Sequence, residues 1–321
     1  MATVLITGGT GMIGKHITKM LIEKGYDVIV LSRQSSIVNL QLASVSYANW
    51  NVENQTIDKE AIPKADYIIH LAGAGVADKR WSEKRKQEIV DSRTQSSALI
   101  VKALKEIPNH VKTVVSASAI GWYGPDTAES LQDGFKENAI ADTAYLGNTC
   151  KLWEESIEPV EALQKRLVKL RIGIVLSNEG GALAEFEKPL KVGVATVMGS
   201  GTQMVSWIHI DDLCRMFIHA IEHEELHGAY NAVATSPVTN KQLIISLAKQ
   251  MCGRFFIPVI VPAFALKIIL GEMSIEVLKS TNVNSDKIRS TGFDFLFPTI
   301  EAVFENLKKN KTERSVRFYF L

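Results

Sequence analysis

Cysteine is scarce. The three present in 321 residues, Cys150, Cys214 and Cys252, stand far apart and form no CxxC. That excludes a disulfide framework and a cysteine zinc site, and reads as small buried residues in a reducing compartment. No His/Cys/Asp cluster has zinc-ligand spacing, so no metal is expected. Net charge is missing too: 36 Lys and Arg against 35 Asp and Glu leave +1, no global field for nucleic acid or an acidic membrane. Basic clusters such as Lys84-Arg85-Lys86 and Lys308-Lys309 read as solvated helix faces. No apolar run has membrane-spanning length; Ile257 to Leu270 is too short and holds Pro258, Pro262 and Lys267. Met1-Ala2-Thr3-Val4-Leu5-Ile6 shows no charged leader region and no cleavage site, so a cytoplasmic protein is expected. There is no GxSxG elbow of a hydrolase, no internal repeat and no low-complexity linker.

What remains is core-forming material: 46% hydrophobic and 22% charged residues, in a chain long enough for roughly two domains. Val4 to Thr7, Val28 to Leu31, Tyr67 to Leu71, Val111 to Ser116 and Leu167 to Leu176 read as strands, and Trp207 to Ile210 as another. Helical spacing runs from Ile13 to Gly25, Ser82 to Leu104 and Leu146 to Leu163, then Asp211 to Ile221, Asn240 to Met251 and Thr299 to Leu307. Pro258 and Pro262 break one stretch, and Phe293 to Phe297 resembles a strand. Near-continuous apolar strands alternating with helices predict an α/β fold, a doubly wound parallel sheet. After Ser177 the pattern changes to a smaller α+β lobe.

Thr7-Gly8-Gly9-Thr10-Gly11-Met12-Ile13-Gly14 sits between the first strand and the first helix. Gly8 suits a tight turn, Gly11 a close approach to a pyrophosphate, and Gly14 close packing of helix on strand; the free N–H groups of the helix then face phosphate. An NAD site places Asp or Glu at the end of the second strand, about 20 residues on. Here Leu31-Ser32-Arg33 stands instead. Arg33 can pair with a 2′-phosphate and Ser32 can donate to it, which points to NADP(H). The plain alternative is that Arg33 is an ordinary exposed arginine.

Together with His70-Leu71-Ala72-Gly73 and Ser116-Ala117-Ser118, this loop resembles the extended short-chain dehydrogenases/reductases of the epimerase/dehydratase type. Lys79-Arg80-Trp81-Ser82, Ser118 to Gly124, Arg171 to Leu176 and Ser206 to Leu213 resemble a narrower atypical subgroup, the epimerase-like proteins labelled cell-division inhibitor homologues. Gly228 to Ala232, Pro237 to Asn240 and Gly271-Glu272-Met273 look like its C-terminal module; only about Lys309 to Leu321 falls outside the likeness. The resemblance implies an NADP-binding Rossmann-like domain over 1–176, with about 205–236 returning to it. A substrate lobe over 177–321 would hold the module at about 237–308. It implies Gly8, Gly11, Met12, Ile13 and Gly14 at the pyrophosphate, Ser32 and Arg33 at the 2′-phosphate, and Leu71, Ala72 and Gly73 on the far side. Glu88, Arg93 and Val175 match other contact positions, although Glu88 and Arg93 also read as a surface helix pair.

In this superfamily a Tyr, a Lys four residues on and a Ser from the fifth strand handle the proton. Here Tyr145 is followed four on by Thr149, and Lys151 lies six on, well around the helix. Ser118 and Tyr145 are the catalytic candidates, with Tyr123 another phenol and packing the alternative role for Tyr145. His70 reads as a core histidine; His209 before Asp211-Asp212 invites a dyad or a metal, but an Asp N-cap accounts for it. Trp81, Trp122, Trp153 and Trp207 could line a pocket or pack. The expectation is an NADP(H)-dependent epimerase-like oxidoreductase of an unidentified small carbonyl or hydroxyl compound, with the two long helices, Ser82 to Leu104 and Leu146 to Leu163, in the places where such folds pair as a homodimer. The rival is a non-catalytic NADP(H)-binding regulator. Nucleotide-sugar epimerisation on bound NAD is disfavoured by Arg33.

Overall fold

The computed structural model describes residues 1–33 and 44–319, with side chains to residue 311. Two compact units emerge: Met1–Tyr123 with Ile140–Arg171 and Cys214–Tyr230, and Gly124–Ala139 with Ile172–Leu213 and Asn231–Leu321.

The first unit is built on β1 (Thr3–Thr7), β2 (Asp27–Ser32), β3 (Val45–Asn51), β4 (Thr56–Ile57), β5 (Tyr67–His70), β6 (Thr113–Ala119) and β7 (Arg166–Ile172). The sheet order is Gly228–Ala232, β7, β6, β5, β1, β2, β3, β4. β3, β2, β1, β5 and β6 run parallel, and β4 returns antiparallel on β3. Strands covered on both faces carry apolar residues at consecutive positions rather than alternating ones. Val4, Leu5 and Ile6 are all fully buried, as are Ile68, Ile69, Val114 and Val115. Helices α1 (Met12–Glu23), α2 (Glu83–Glu106) and α3 (Tyr145–Ile157) belong to this unit. Ser82 starts α2 as its N-cap, its Oγ accepting from the Arg85 amide at 3.2 Å. Leu99, Ile100, Ala103 and Leu104 of α2 join Leu5, Ile68 and Val114 in one core cluster. The solvent side of α2 carries Lys84, Gln87, Gln95 and Lys102 and shows no exposed large apolar side chain.

The chain lays β1, β2 and β3 outward in one direction, then crosses back to lay β5 and β6 on the other side of β1. Ligands of open α/β sheets bind where the order reverses, outside the carboxyl ends of the strands. That switch lies between β1 and β5.

Four elements differ from the sequence-based expectation. The helix expected to Leu163 stops at Ile157, and Pro159 opens a separate turn, Pro159–Ala162. The strand expected from Leu167 to Leu176 divides at Gly173, where a Cβ would lie 2.6 Å from the Ser206 carbonyl oxygen; Ile174–Leu176 pairs instead with Trp207–His209. Phe293 to Phe297 is irregular, because the Leu296 and Phe297 amides donate to the Asp212 carboxylate at 2.8 and 2.9 Å. Finally, the proline-interrupted stretch is a strand: β9 (Ile257–Val261) pairs in parallel with β8 (Val194–Met198). The Ile257 amide donates to the Gly193 carbonyl at 2.8 Å and the Val261 carbonyl accepts from Gly199 at 2.9 Å. Alternate residues therefore face β8, and Pro258 points the other way, where no donor is required.

Candidate nucleotide and proton-handling site

The loop after β1 turns at Gly8, with φ +69°, where a Cβ would sit 2.8 Å from the Leu71 carbonyl oxygen. Only glycine allows β1 and the end of β5 to approach so closely. The Gly11 amide donates to the Gly8 carbonyl at 3.0 Å, and Gly11 then caps α1 without a side-chain hydrogen bond. No acidic residue stands in the first turn of α1, so the positive helix end is open to an anion. A Cβ on Gly11 would meet only the Gly8 oxygen, at 3.3 Å. Gly14 is tighter: its Cβ would fall 2.3 Å from the Gly8 oxygen and 2.5 Å from Gly9 Cα. Gly14→Ala must displace the loop backbone and is expected to lower the unfolding free energy by about 1–3 kcal/mol, read as a shifted urea midpoint at unchanged slope.

At the end of β2, Ser32 is buried and Arg33 exposed, with no carboxylate at either position. After β5, Thr7 pins the next turn: its Oγ1 accepts from the Leu71 and Ala72 amides, both at 3.1 Å. Its own proton must then go to His70 Nδ1, 2.7 Å away. The ring is thereby neutral, with its hydrogen on Nε2 facing Ser97 Oγ at 3.1 Å. Burial drives the His70 pKa down to about 4. The unfolded chain takes up this proton near pH 6.5 and the folded chain only near 4. Stability from this group is thus complete above pH 6.5 and lost as pH falls toward 4, about 3 kcal/mol in all. His70→Gln should flatten that part of the curve of urea midpoint against pH; identical curves for both proteins would refute the assignment.

Gly73 lies against Arg93, whose Cζ would be 3.3 Å from a Cβ there. Arg93 is not half of a surface pair with Glu88. It is 9% exposed, donates to the carbonyls of Ala74 and Ile89 at 3.0 and 2.9 Å, and lies over the Trp153 ring at 4.8 Å. Burial lowers its pKa. Glu88 instead accepts from Arg85 at 2.8 Å, and this hydrogen bond lowers its carboxyl pKa. Arg85 in turn donates to the Gly75 carbonyl at 2.6 Å. Both arginines therefore hold the backbone of 73–75. Val175 belongs to the second unit, on the strand paired with Trp207–His209.

Ser118, near the end of β6, is 2% exposed and donates to Glu154 Oε1 at 2.7 Å. Glu154 is gripped by Arg171, Nε to Oε1 at 2.8 Å and Nη2 to Oε2 at 3.2 Å, with Lys169 Nζ at 3.4 Å. Arg171 lies over the Trp122 ring at 3.7 Å and donates to the Tyr123 hydroxyl at 3.1 Å. The sequence reading missed this buried cluster; an acidic residue on the apolar face of α3, beside Trp153, was the available signal. Tyr145 opens α3, its hydroxyl donating to the Lys86 carbonyl at 3.0 Å and its ring meeting Trp81 edge-on at 4.9 Å. Burial raises its pKa above the usual phenol value, against the lowering effects of Thr149, Arg93 and Lys86. Lys151 is exposed and faces Glu155 at 3.8 Å, away from Tyr145.

The other candidates separate. Trp207 lies in the second unit and donates to the Ser236 carbonyl at 3.1 Å, whereas Trp81, Trp122 and Trp153 belong to the first. At the start of the helix Ile210–Glu222, His209 Nδ1 accepts from the Asp211 amide at 3.1 Å, and Asp212 clamps 296–297. Among the described residues no group of His, Cys, Asp and Glu could hold a metal.

Residues 4–145 match the NAD dependent epimerase/dehydratase family, and residues 261–307 match a domain of unknown function, DUF1731. The Epimerase family protein SSP1921 of Staphylococcus saprophyticus is 33% identical over 96% of this chain and 99% of its own. The Epimerase family protein YfhF of Bacillus subtilis is 33% identical over 95% and 97%. Among solved structures, human epimerase family protein SDR39U1 (isoform 2) with NADPH superposes with a TM-score of 0.83 at 27% identity, over 96% of this chain and 99% of that one. UDP-glucose 4-epimerase of Thermotoga maritima shares the fold at a TM-score of 0.74 and 22% identity, over 96% and 99%.

Proposed function

This chain belongs to the NAD dependent epimerase/dehydratase family, and on that premise we propose that it is an NADP(H)-binding oxidoreductase acting on a small carbonyl or hydroxyl compound. The observation that carries the reading is the Gly8–Gly14 turn at the sheet's switch point, beside a β2 end that offers Arg33 and no carboxylate. A glycine-rich loop and a helix start with no side-chain cap fit a dinucleotide. The NADPH in the human structure supports the phosphorylated form.

In this reading Gly8, Gly11, Met12, Ile13 and Gly14 hold the pyrophosphate, and Ser32 and Arg33 hold the 2′-phosphate. Leu71, Ala72 and Gly73 flank the cofactor's far half. Arg93 and Glu88 act by holding 73–75, and Val175 is assigned by its place in the family pattern. The second unit supplies substrate recognition. A bound nicotinamide supplies hydride exchange. The accompanying proton is assigned to Ser118 Oγ: because its hydrogen is directed to Glu154, the oxygen can accept a proton while passing its own to the carboxylate. Tyr145 is the second proton-handling candidate.

The test is calorimetry with NADPH and NADH, followed by nicotinamide absorbance across a panel of aldehydes, ketones and alcohols. NADPH should bind at least about tenfold tighter, and Ser118→Ala should cut turnover about a hundredfold with cofactor affinity unchanged. Tyr145→Phe is the parallel variant. Equal binding, or no binding, removes the cofactor assignment. Tight NADPH binding without turnover on any compound removes the enzymatic one.

A further inference from the structure

The second unit exposes an apolar surface that its own core does not use. Helix α4 (Ala263–Leu270) buries only Leu266. Phe264, Ile268 and Ile269 are 67, 69 and 65% exposed, and Phe255, Ile257 and Ile260, just before it in the chain, 89, 68 and 66%. All six fall between Phe255 and Ile269, and so many large apolar side chains exposed in one short stretch mark an interaction surface rather than scattered exposure. An eight-residue helix with one buried side chain is marginal in water.

Charge selects what covers this face. Arg254 and Lys267 in this stretch, with Lys249 in the helix before it and Lys191 shortly before β8, are exposed and make no ion pair among the described residues. The neighbouring Glu276 is paired with Lys279 at 2.6 Å. The unmatched charges of the segment are thus all positive, although the whole chain is nearly neutral. A second copy docked by two-fold symmetry would bring the same cations together. Exposed Phe and Ile set among unpaired Lys and Arg are the composition of an interfacial helix.

We propose that α4 and the exposed stretch from Arg254 to Ile260 before it form a docking segment for an anionic phospholipid surface, the apolar side chains entering the headgroup boundary while the cations meet lipid phosphates. No helix among the described residues is long and apolar enough to cross the bilayer.

The experiment is flotation of the full chain with vesicles of phosphatidylcholine containing phosphatidylglycerol, against pure phosphatidylcholine. The protein should float with the anionic vesicles, and high salt should release most of it. Phe264→Glu with Ile268→Glu should abolish flotation. Arg254→Gln with Lys267→Gln should weaken it about 25-fold, the ~2 kcal/mol that two cations contribute near an anionic surface. Urea midpoints of both variants should match wild type, since the altered side chains are exposed. No flotation of wild type, or indifference to lipid charge, overturns the proposal whatever the variants do. So does a sedimentation dimer that Phe264→Glu with Ile268→Glu converts to monomer, since a second copy would then cover the face.

Discussion

Arg33→Asp is expected to reverse the cofactor preference. In the proposed site the guanidinium pairs with the 2′-phosphate, and charge-assisted hydrogen bonds of this kind contribute about 1.5–3 kcal/mol. Arg33 is exposed, so solvent screening favours the lower end, about tenfold in affinity. A carboxylate in its place adds repulsion toward the phosphate, so NADPH binding should fall on the order of a hundredfold. The same carboxylate can accept from a free 2′-hydroxyl, so NADH should hold or improve. The readout is the ratio of the two dissociation constants by calorimetry at low and high salt. Wild-type selectivity should shrink with salt, as an exposed charge contact must. An unchanged ratio in Arg33→Asp would place the discrimination elsewhere.

The parts legible in the sequence are those that local chemistry determines. Val4 to Thr7 followed by glycines at 8, 11 and 14 specifies strand, turn and helix within a dozen residues. The buried strands announce themselves as apolar runs. β3 went unread because Ser46, Asn49 and Asn51 dilute the apolar signal of a strand that pairing with β2 and β4 stabilises. β9 was hidden by Pro258, whose tolerance depends on β8 lying on the other side. Phe293 to Phe297 has strand composition, yet Asp212, 84 positions away from Leu296, claims its amides. Arg93 illustrates the same limit: a charge on a helix reads as solvent-facing until Trp153 and the Ala74 carbonyl are known to lie beneath it. The candidate site divides likewise. Its phosphate-facing glycines are a local pattern, whereas the cluster behind Ser118 gathers residues from β6, α3 and β7.

That cluster carries the largest expected effect on stability. Glu154 is 3% exposed, and Arg171 beneath it has 4% of its side chain in contact with solvent. Removing one partner of a buried ion pair leaves the other desolvated without compensation, which costs about 3–5 kcal/mol. Lys169 keeps Glu158 at 2.6 Å and loses little. Arg171 keeps the Trp122 ring face and the Tyr123 hydroxyl, neither of which is an anion. Glu154→Ala should therefore move the urea midpoint far below wild type, while Glu154→Gln, which preserves shape and an acceptor for Ser118, should cost less. Glu154→Leu combined with Arg171→Met should recover much of the loss, because apolar residues of similar volume can replace a buried pair at little net cost. If the double variant proves no more stable than Glu154→Ala, the cluster's contribution is not the pairing of charges but the hydrogen-bonded order it gives to the ends of β6 and β7. In either case Ser118 loses the acceptor of its proton, so turnover should fall in the double variant even where stability returns.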